Sequence, residues 1–194
     1  MKPRENPFST ERVSELRYRL EGTCGSLLER LHALGARASI VGQHGNGKTT
    51  LVEDLEQYLQ SRGFTVMRLL VNQAYSFIPH AFWHTNTKGV YVLLDGKERL
   101  PWVVWIAFQF KCRDAAGVVI VEHEPGRWPI LHECKTTFPL FESLIDQMLN
   151  AEHKARLPAG FLEQLFSSHG GNIRDCMRDL YDYFADLPRS EACQ

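Results

Sequence analysis

No run in this sequence approaches the roughly 20 apolar residues of a membrane-spanning helix, so no helical membrane span is expected. The opening Met1-Lys-Pro-Arg-Glu-Asn-Pro7 lacks the apolar core of a secretory leader, and the expected setting is cytoplasmic. Charge of one sign is not in excess. Lys and Arg number 22 against 23 Asp and Glu, a formal net charge of −1, which gives no general electrostatic grip on nucleic acid and leaves only a local basic patch for that role. The five cysteines (24, 112, 134, 176 and 193) are odd in number, scattered, and without a Cys-x-x-Cys pair. They fit reduced thiols, and they speak against a disulfide scaffold or a zinc site. The eight histidines also lack ligand spacing: His80 and His84 stand four apart with no carboxylate to complete a structural metal site. Internal repeats and low-complexity stretches are absent too.

What is present is an ordinary soluble composition, 44% hydrophobic and 23% charged, over 194 residues. That length suits one domain, or one domain with a small appendage. The chain is organised around Ala38-Ser-Ile-Val-Gly-Gln-His-Gly-Asn-Gly-Lys-Thr-Thr50. A short β-branched run leads into Gly42, Gln43, His44, Gly45, Asn46, Gly47, Lys48 and Thr49, which satisfy G-x-x-x-x-G-K-[ST] at every specified position, with Thr50 next. Glycines let successive backbone N–H groups curl around phosphate oxygens where a Cβ would obstruct. Lys48 is placed to reach β- and γ-phosphates, and the Thr49 hydroxyl to join the shell of a Mg²⁺ ion. The following helix, with Leu51, Leu55, Tyr58 and Leu59 on one face, adds the positive end of its dipole. The stretch is a nucleotide phosphate site.

Before that loop, residues 1–8 read as a poorly ordered lead. Ser9 caps a helix through Arg12, Leu16 and Leu20, and Leu27, Leu28, Leu31 and Leu34 mark a second helix closed by Gly35. Arg17 or Tyr18 either stacks on a nucleotide base or lies on a surface helix. After the loop, residues 64–71 read as a strand. Residues 72–88 carry no sustained period and read either as a functional irregular segment or as a short helix near Ala81–His84 covering the sheet. Gly89-Val-Tyr-Val-Leu-Leu-Asp95 is an apolar strand ending in an acid, 47 residues past Lys48, and Asp95 is the expected Mg²⁺ ligand beside Thr49. Gly96 follows, then Glu98, which either orients water or faces solvent. Trp102, Val103, Ile106, Ala107 and Phe110 share a helical face expected to pack in the core. A buried strand at 117–121 ends in Glu122-His123, and His123 is either a γ-phosphate sensor or a loop histidine. Arg127 reads as a surface arginine or one reaching a neighbouring subunit. A final strand is expected within 132–138, followed by three short helices.

The predicted fold is therefore a three-layer α/β/α P-loop NTPase with a parallel sheet and a small C-terminal helical lid. The expected divisions are an N-terminal helical arm (1–36), a nucleotide-binding domain (37–138), the lid (139–188) and a tail (189–194).

With these pieces in place the chain resembles the AAA+ ATPases. The resemblance rests on Gly42–Thr49, Val90–Asp95, the polar strand end at His123, and Gly170-Gly-Asn-Ile-Arg174. The last string is similar to the lid-helix motif G-N-x-R of origin-recognition-type members, which implies that Arg174 contacts a γ-phosphate. Asn6-Pro-Phe8, about 35 residues before the phosphate loop, is similar to the same class and to related secretion ATPases. The resemblance implies ATP and Mg²⁺ as ligands, slow hydrolysis coupled to lid closure, a protein partner, and scope for oligomers or nucleic-acid binding. Many such ATPases place a glutamate directly after the strand-end acid, and here that place is Gly96. A non-hydrolysing nucleotide switch or scaffold is the alternative. A P-loop small-molecule kinase is a third reading, weakened because no arginine-rich acceptor lid is visible.

Overall fold

The computed structural model of the protein describes residues 6–14, 22–72 and 77–186. The chain falls into two compact units, one made of Tyr18–Gln43 and Gly47–Cys134, the other of Met1–Arg17, His44–Asn46 and Lys135–Gln194. Helix α1 (Thr10–Ser14) belongs to the second unit, and α2 (Cys24–Ala33) opens the described part of the first. The start of α2 is fixed reciprocally: Ser26 N donates to Thr23 Oγ1 at 3.1 Å and Thr23 N donates to Ser26 Oγ at 3.2 Å.

The sheet unit continues through β1 (Arg37–Val41), α3 (Lys48–Ser61), β2 (Val66–Leu70), α4 (His80–His84), β3 (Tyr91–Asp95), a 3₁₀ turn (Lys97–Arg99), α5 (Trp102–Lys111), β4 (Gly117–Glu122) and β5 (Ile130–Glu133). The strands pair in the order β2-β3-β4-β1-β5, every pair parallel. Strand β4 is buried at all six positions, as its unbroken Val-Val-Ile-Val run requires of a strand covered on both faces. Alternation then sorts the side chains. Leu93, Val119 and Val121 pack with Leu31, Leu51 and Leu55 of α2 and α3, whereas Val92, Leu94, Val118 and Ile120 pack with Phe82 and Phe108 of α4 and α5. This is the expected α/β/α layering. The chain leaves β1 toward the far edge strand β2 but passes from β4 to β5 on the other side, so a crevice opens at the carboxyl ends of β1 and β4.

Two expectations about this unit need correcting. The last strand is Ile130–Glu133, earlier than 132–138, because its partner β1 runs out at Val41; Cys134 N donates to Val41 O at 2.7 Å, the end of the ladder. The face of α5 is also wrong. Trp102, Val103, Ile106 and Phe110 are 73, 57, 53 and 69% exposed, while Phe108 is fully buried. The helix is apolar on every side, so spacing alone selects no face. Phe108 stacks at 5.6 Å on both Phe82 and Trp105, and that packing takes the inward position.

The helical unit comprises α1, α6 (Phe138–Met148), α7 (Ala151–Lys154), α8 (Phe161–Ser168) and α9 (Ile173–Asp186). The single turn α7 is additional to the three helices expected; Asn150 Oδ1 caps it by accepting from His153 N at 2.8 Å. Phe141, Ile145, Met177, Leu180 and Phe184 form its core. The N-terminal lead is not loose from residue 6 onward. Phe8 is buried with its ring 5.6 Å from Phe184, and Asn6 Nδ2 donates to Tyr181 O at 2.8 Å. Leu16, Leu20, the base-stacking candidates Arg17 and Tyr18, and the tail 189–194 lie outside the described residues.

Among the described residues no helix is long and apolar enough to cross a membrane, and Cys24, Cys112 and Cys176 are free thiols. Burial pushes the thiols of Cys112 and Cys176 up to about 11, which suits packing rather than reactivity.

Candidate functional site

The loop after β1 is shaped by contacts that exclude side chains. A Cβ on Gly42 would lie 2.5 Å from Cys134 O, so only glycine lets the loop leave the sheet beside β5. Gly47, at φ 79°, is the left-handed residue from which α3 springs, and Leu51 N donates to Gly47 O at 3.0 Å. The tip His44–Asn46 belongs to the helical unit. There Gly45, also at φ 79°, lies against Asn172, and a Cβ would run into its Oδ1. Asn172 is itself held: its Oδ1 accepts from Arg174 N at 3.1 Å and its Nδ2 donates to Asp175 Oδ2 at 2.6 Å. Thr136 Oγ1 donates to Gly171 O at 2.6 Å and lies 3.4 Å from Asn46 Oδ1. Neither Asn172 nor Thr136 stood out as a loop support in the sequence, because both come from far along the chain.

At the first turn of α3, Lys48 is only 8% exposed, and its Nζ donates to Gly42 O at 2.5 Å and Gln43 O at 2.8 Å. It also stands 3.3 Å from His123 Nδ1. A lysine folded back on loop carbonyls is pre-placed for a phosphate, whose oxygens are stronger acceptors for an ammonium than neutral carbonyls. Next to it, Thr49 Oγ1 donates to Asp95 Oδ2 at 2.8 Å, so the predicted metal pair is together at the ends of α3 and β3. A hydroxyl and a carboxylate oxygen are hard donors, which fit Mg²⁺, an ion that keeps waters and phosphate oxygens for its remaining positions. No group of three or more His, Cys, Asp or Glu able to hold a metal occurs among the described residues.

The remaining sequence candidates divide. His123 Nε2 lies 2.9 Å from Glu98 Oε1, so both catalytic candidates of the sheet unit meet at the mouth of the crevice. The two ring nitrogens face opposite partners, Nε2 a carboxylate and Nδ1 an ammonium. Lys48, His123 and Glu98 thus form one continuous line. Arg174 is exposed in the first turn of α9, and Thr50 follows Thr49 in α3. Two residues missed by sequence reasoning are Glu122 and Lys97. Glu122 is 6% exposed and Lys97 Nζ meets its Oε1 at 2.7 Å. No local pattern announces the pair, because it depends on how the ends of β3 and β4 align.

No family model matches the sequence, and none of the curated proteins is similar to it. In structure the chain is similar to Thermotoga maritima RuvB. An arginine-to-alanine variant superposes with a TM-score of 0.51 at 17% identity, covering 80% of this chain and 57% of that one. A threonine-to-valine variant gives 0.49 at 18%, covering 81% and 58%. A third structure, titled a Holliday junction branch migration motor, gives 0.48 at 18% with the same coverage. The chain thus spans a little over half of the RuvB length. At such identity the likeness shows the fold alone, a five-stranded parallel sheet between helices with a helical C-terminal region.

Proposed function

We propose that the protein binds ATP with Mg²⁺ and hydrolyses it slowly, as an AAA-like P-loop ATPase in a cytoplasmic, reducing setting. The observation that carries this reading is the convergence of Lys48, Thr49–Asp95 and His123–Glu98 at one crevice of the sheet unit. The fold shared with RuvB, an AAA+ ATPase, supports the class.

In this reading the backbone amides of residues 42–50 bind the phosphates and Lys48 turns from its carbonyl acceptors to the β- and γ-oxygens. Thr49 and Asp95 would hold Mg²⁺, which supplies charge neutralisation on the phosphates when bound. Glu98 orients the attacking water and takes up its proton, standing in for an acid at the Gly96 position. His123, next to both Lys48 and Glu98, senses whether a γ-phosphate is present. Arg174 contacts the γ-phosphate from the helical unit, whose closure over ATP changes the surface offered to a protein partner. The arm–domain–lid–tail division (1–36, 37–138, 139–188, 189–194) belongs to this proposal, as does kinship with origin-recognition-type or secretion-type members through Gly171–Arg174 and Asn6–Phe8. Oligomer formation fits the class. Nucleic-acid binding draws little support from a net charge of −1.

Thermal unfolding with Mg²⁺ and ATP, ADP, GTP or a non-hydrolysable ATP analogue tests the site. Ligand at 100 times its dissociation constant stabilises the fold by about 2.7 kcal/mol, a shift of roughly 5–11 °C at this size. We expect that shift with ATP and its loss in Lys48→Ala; no shift with any nucleotide defeats the proposal. A non-hydrolysing switch is the second reading, favoured by Gly96 after Asp95. A multiple-turnover assay separates the two, and a phosphorylated small hydroxyl acceptor among the products would revive the kinase reading.

A further inference from the structure

We infer that Glu122 is a positioning residue for Glu98, acting through Lys97. This inference rests on the ATPase reading for its catalytic consequence, though not for its geometry.

Two successive residues at the end of β4 meet two successive residues of the 3₁₀ turn. Glu122 Oε1 accepts from Lys97 Nζ at 2.7 Å, and His123 Nε2 meets Glu98 Oε1 at 2.9 Å. The two contacts form adjacent rungs between the same segments, and the first is the more buried of the two. Glu122 is 6% exposed and its second oxygen, Oε2, has no hydrogen-bond partner. Among the described residues the charge on this carboxylate is met by Lys97. The loop after β4 closes over it: a Cβ on Gly126 would stand 2.6 and 2.7 Å from the two carboxylate oxygens. Lys97 is confined from another side, with its Nζ 5.2 Å from the centre of the Trp105 ring. The turn has little other freedom, because Gly96 at φ 91° lies against Val71 O where a Cβ would collide.

A three-residue 3₁₀ turn has too few internal bonds to hold a side chain in place by itself. The ion pair between half-buried Lys97 and buried Glu122 supplies what the turn lacks. It fixes Lys97, and with it the direction in which the next residue, Glu98, leaves the turn toward His123. Buried charge pairs contribute little to stability but can specify one arrangement. Here the arrangement specified is that of the water-orienting acid, in a chain where the position directly after Asp95 is glycine.

The test uses Glu122→Gln, which keeps the shape and removes the charge, and the double variant Lys97→Met/Glu122→Leu, which replaces the pair with apolar groups so that no charge is left buried alone. Three readouts are taken on the full chain: the ATP dissociation constant, the turnover number, and the imidazole ¹⁵N shifts of His123 in ligand-free protein. Both variants should bind ATP within about twofold of wild type, since Lys48, Thr49 and Asp95 are untouched. Turnover should fall roughly 10–100-fold, the penalty of a misplaced catalytic group. The His123 Nε2 signal should lose the signature of a carboxylate partner. An unshifted His123 signal, or wild-type turnover in the double variant, overturns the inference. If wild-type protein hydrolyses nothing, the ATPase reading fails on its own, and the His123 signal still decides whether Glu122 positions Glu98.

Discussion

The two halves of the site are built from different materials. The phosphate-loop half is made of backbone: Gly42 pressed on Cys134 O, Gly47 opening α3, and Lys48 tied to the carbonyls of Gly42 and Gln43. The half across the crevice is made of side chains meeting between β3 and β4, with Glu98 on His123 and Lys97 on Glu122. A backbone cradle tolerates exchange of its non-glycine x positions but not of its glycines, Gly45 included. A side-chain ladder tolerates backbone variation but not loss of a single charge. Affinity should therefore live in the first half and turnover in the second.

The largest expected effect that would sharpen this contrast is that of Lys48→Ala. It should remove measurable ATP binding, at least a 100-fold loss by calorimetry, because the proposed site relies on the buried Lys48 ammonium to meet the β- and γ-phosphates. Next is Glu98→Gln, which should lower turnover about 100-fold or more while the ATP dissociation constant stays within twofold. Equal losses of affinity and turnover in this variant would erase the division. Gly45→Ala comes third. At φ 79° with Asn172 Oδ1 in the way, the loop must shift, and about tenfold weaker ATP binding should accompany a loss of roughly 1–2 kcal/mol in denaturant unfolding. Thr49→Ala should leave metal-free nucleotide binding unchanged and weaken the Mg²⁺ enhancement about fivefold, read by titrating Mg²⁺ at fixed nucleotide.

The smallest effect concerns neither half. Cys112 and Cys176 have thiols raised by burial to about 11 from 9.0. The unfolded chain therefore releases these protons first as pH rises above about 9. Their contribution is fully present below pH 9 and declines through pH 11, so unfolding midpoints should fall across that window and less so in Cys112→Ala. Below pH 9 both thiols should resist alkylation in native protein.

The backbone half was legible from sequence because everything it needs lies within Gly42–Thr50, and the chemistry of glycine, lysine and threonine is local. The sheet was legible for a related reason: unbroken runs such as Val118–Val121 suit a strand covered on both faces, and the layering follows from alternation. The side-chain half was only partly so. Asp95, Glu98 and His123 stood out as polar residues at strand ends, but the Lys97–Glu122 pair depends on the register Leu94↔Ile120, which no local pattern encodes. Helix α5 failed for the opposite reason. Its periodic signal is saturated, since Trp102, Val103, Ile106 and Phe110 are as apolar as the Phe108 that goes inside. The lead segment failed through distance, because the groups that order Asn6 and Phe8 are at Tyr181 and Phe184.

That last contact has a consequence for how the protein is made. Asn6 and Tyr181 are 175 positions apart, so during synthesis the first described residues wait for that many more to be added before their partners exist. Residues 22–43, 47–72 and 77–134, the described part of the sheet unit, are all released before α9. The sheet unit can thus complete on the ribosome, while Phe8 stays exposed to proteases and chaperones until the final helix closes over it. Removing α9 would leave that segment permanently unprotected, and limited proteolysis of nascent chains of increasing length would show cleavage near Phe8 disappearing only at the last step.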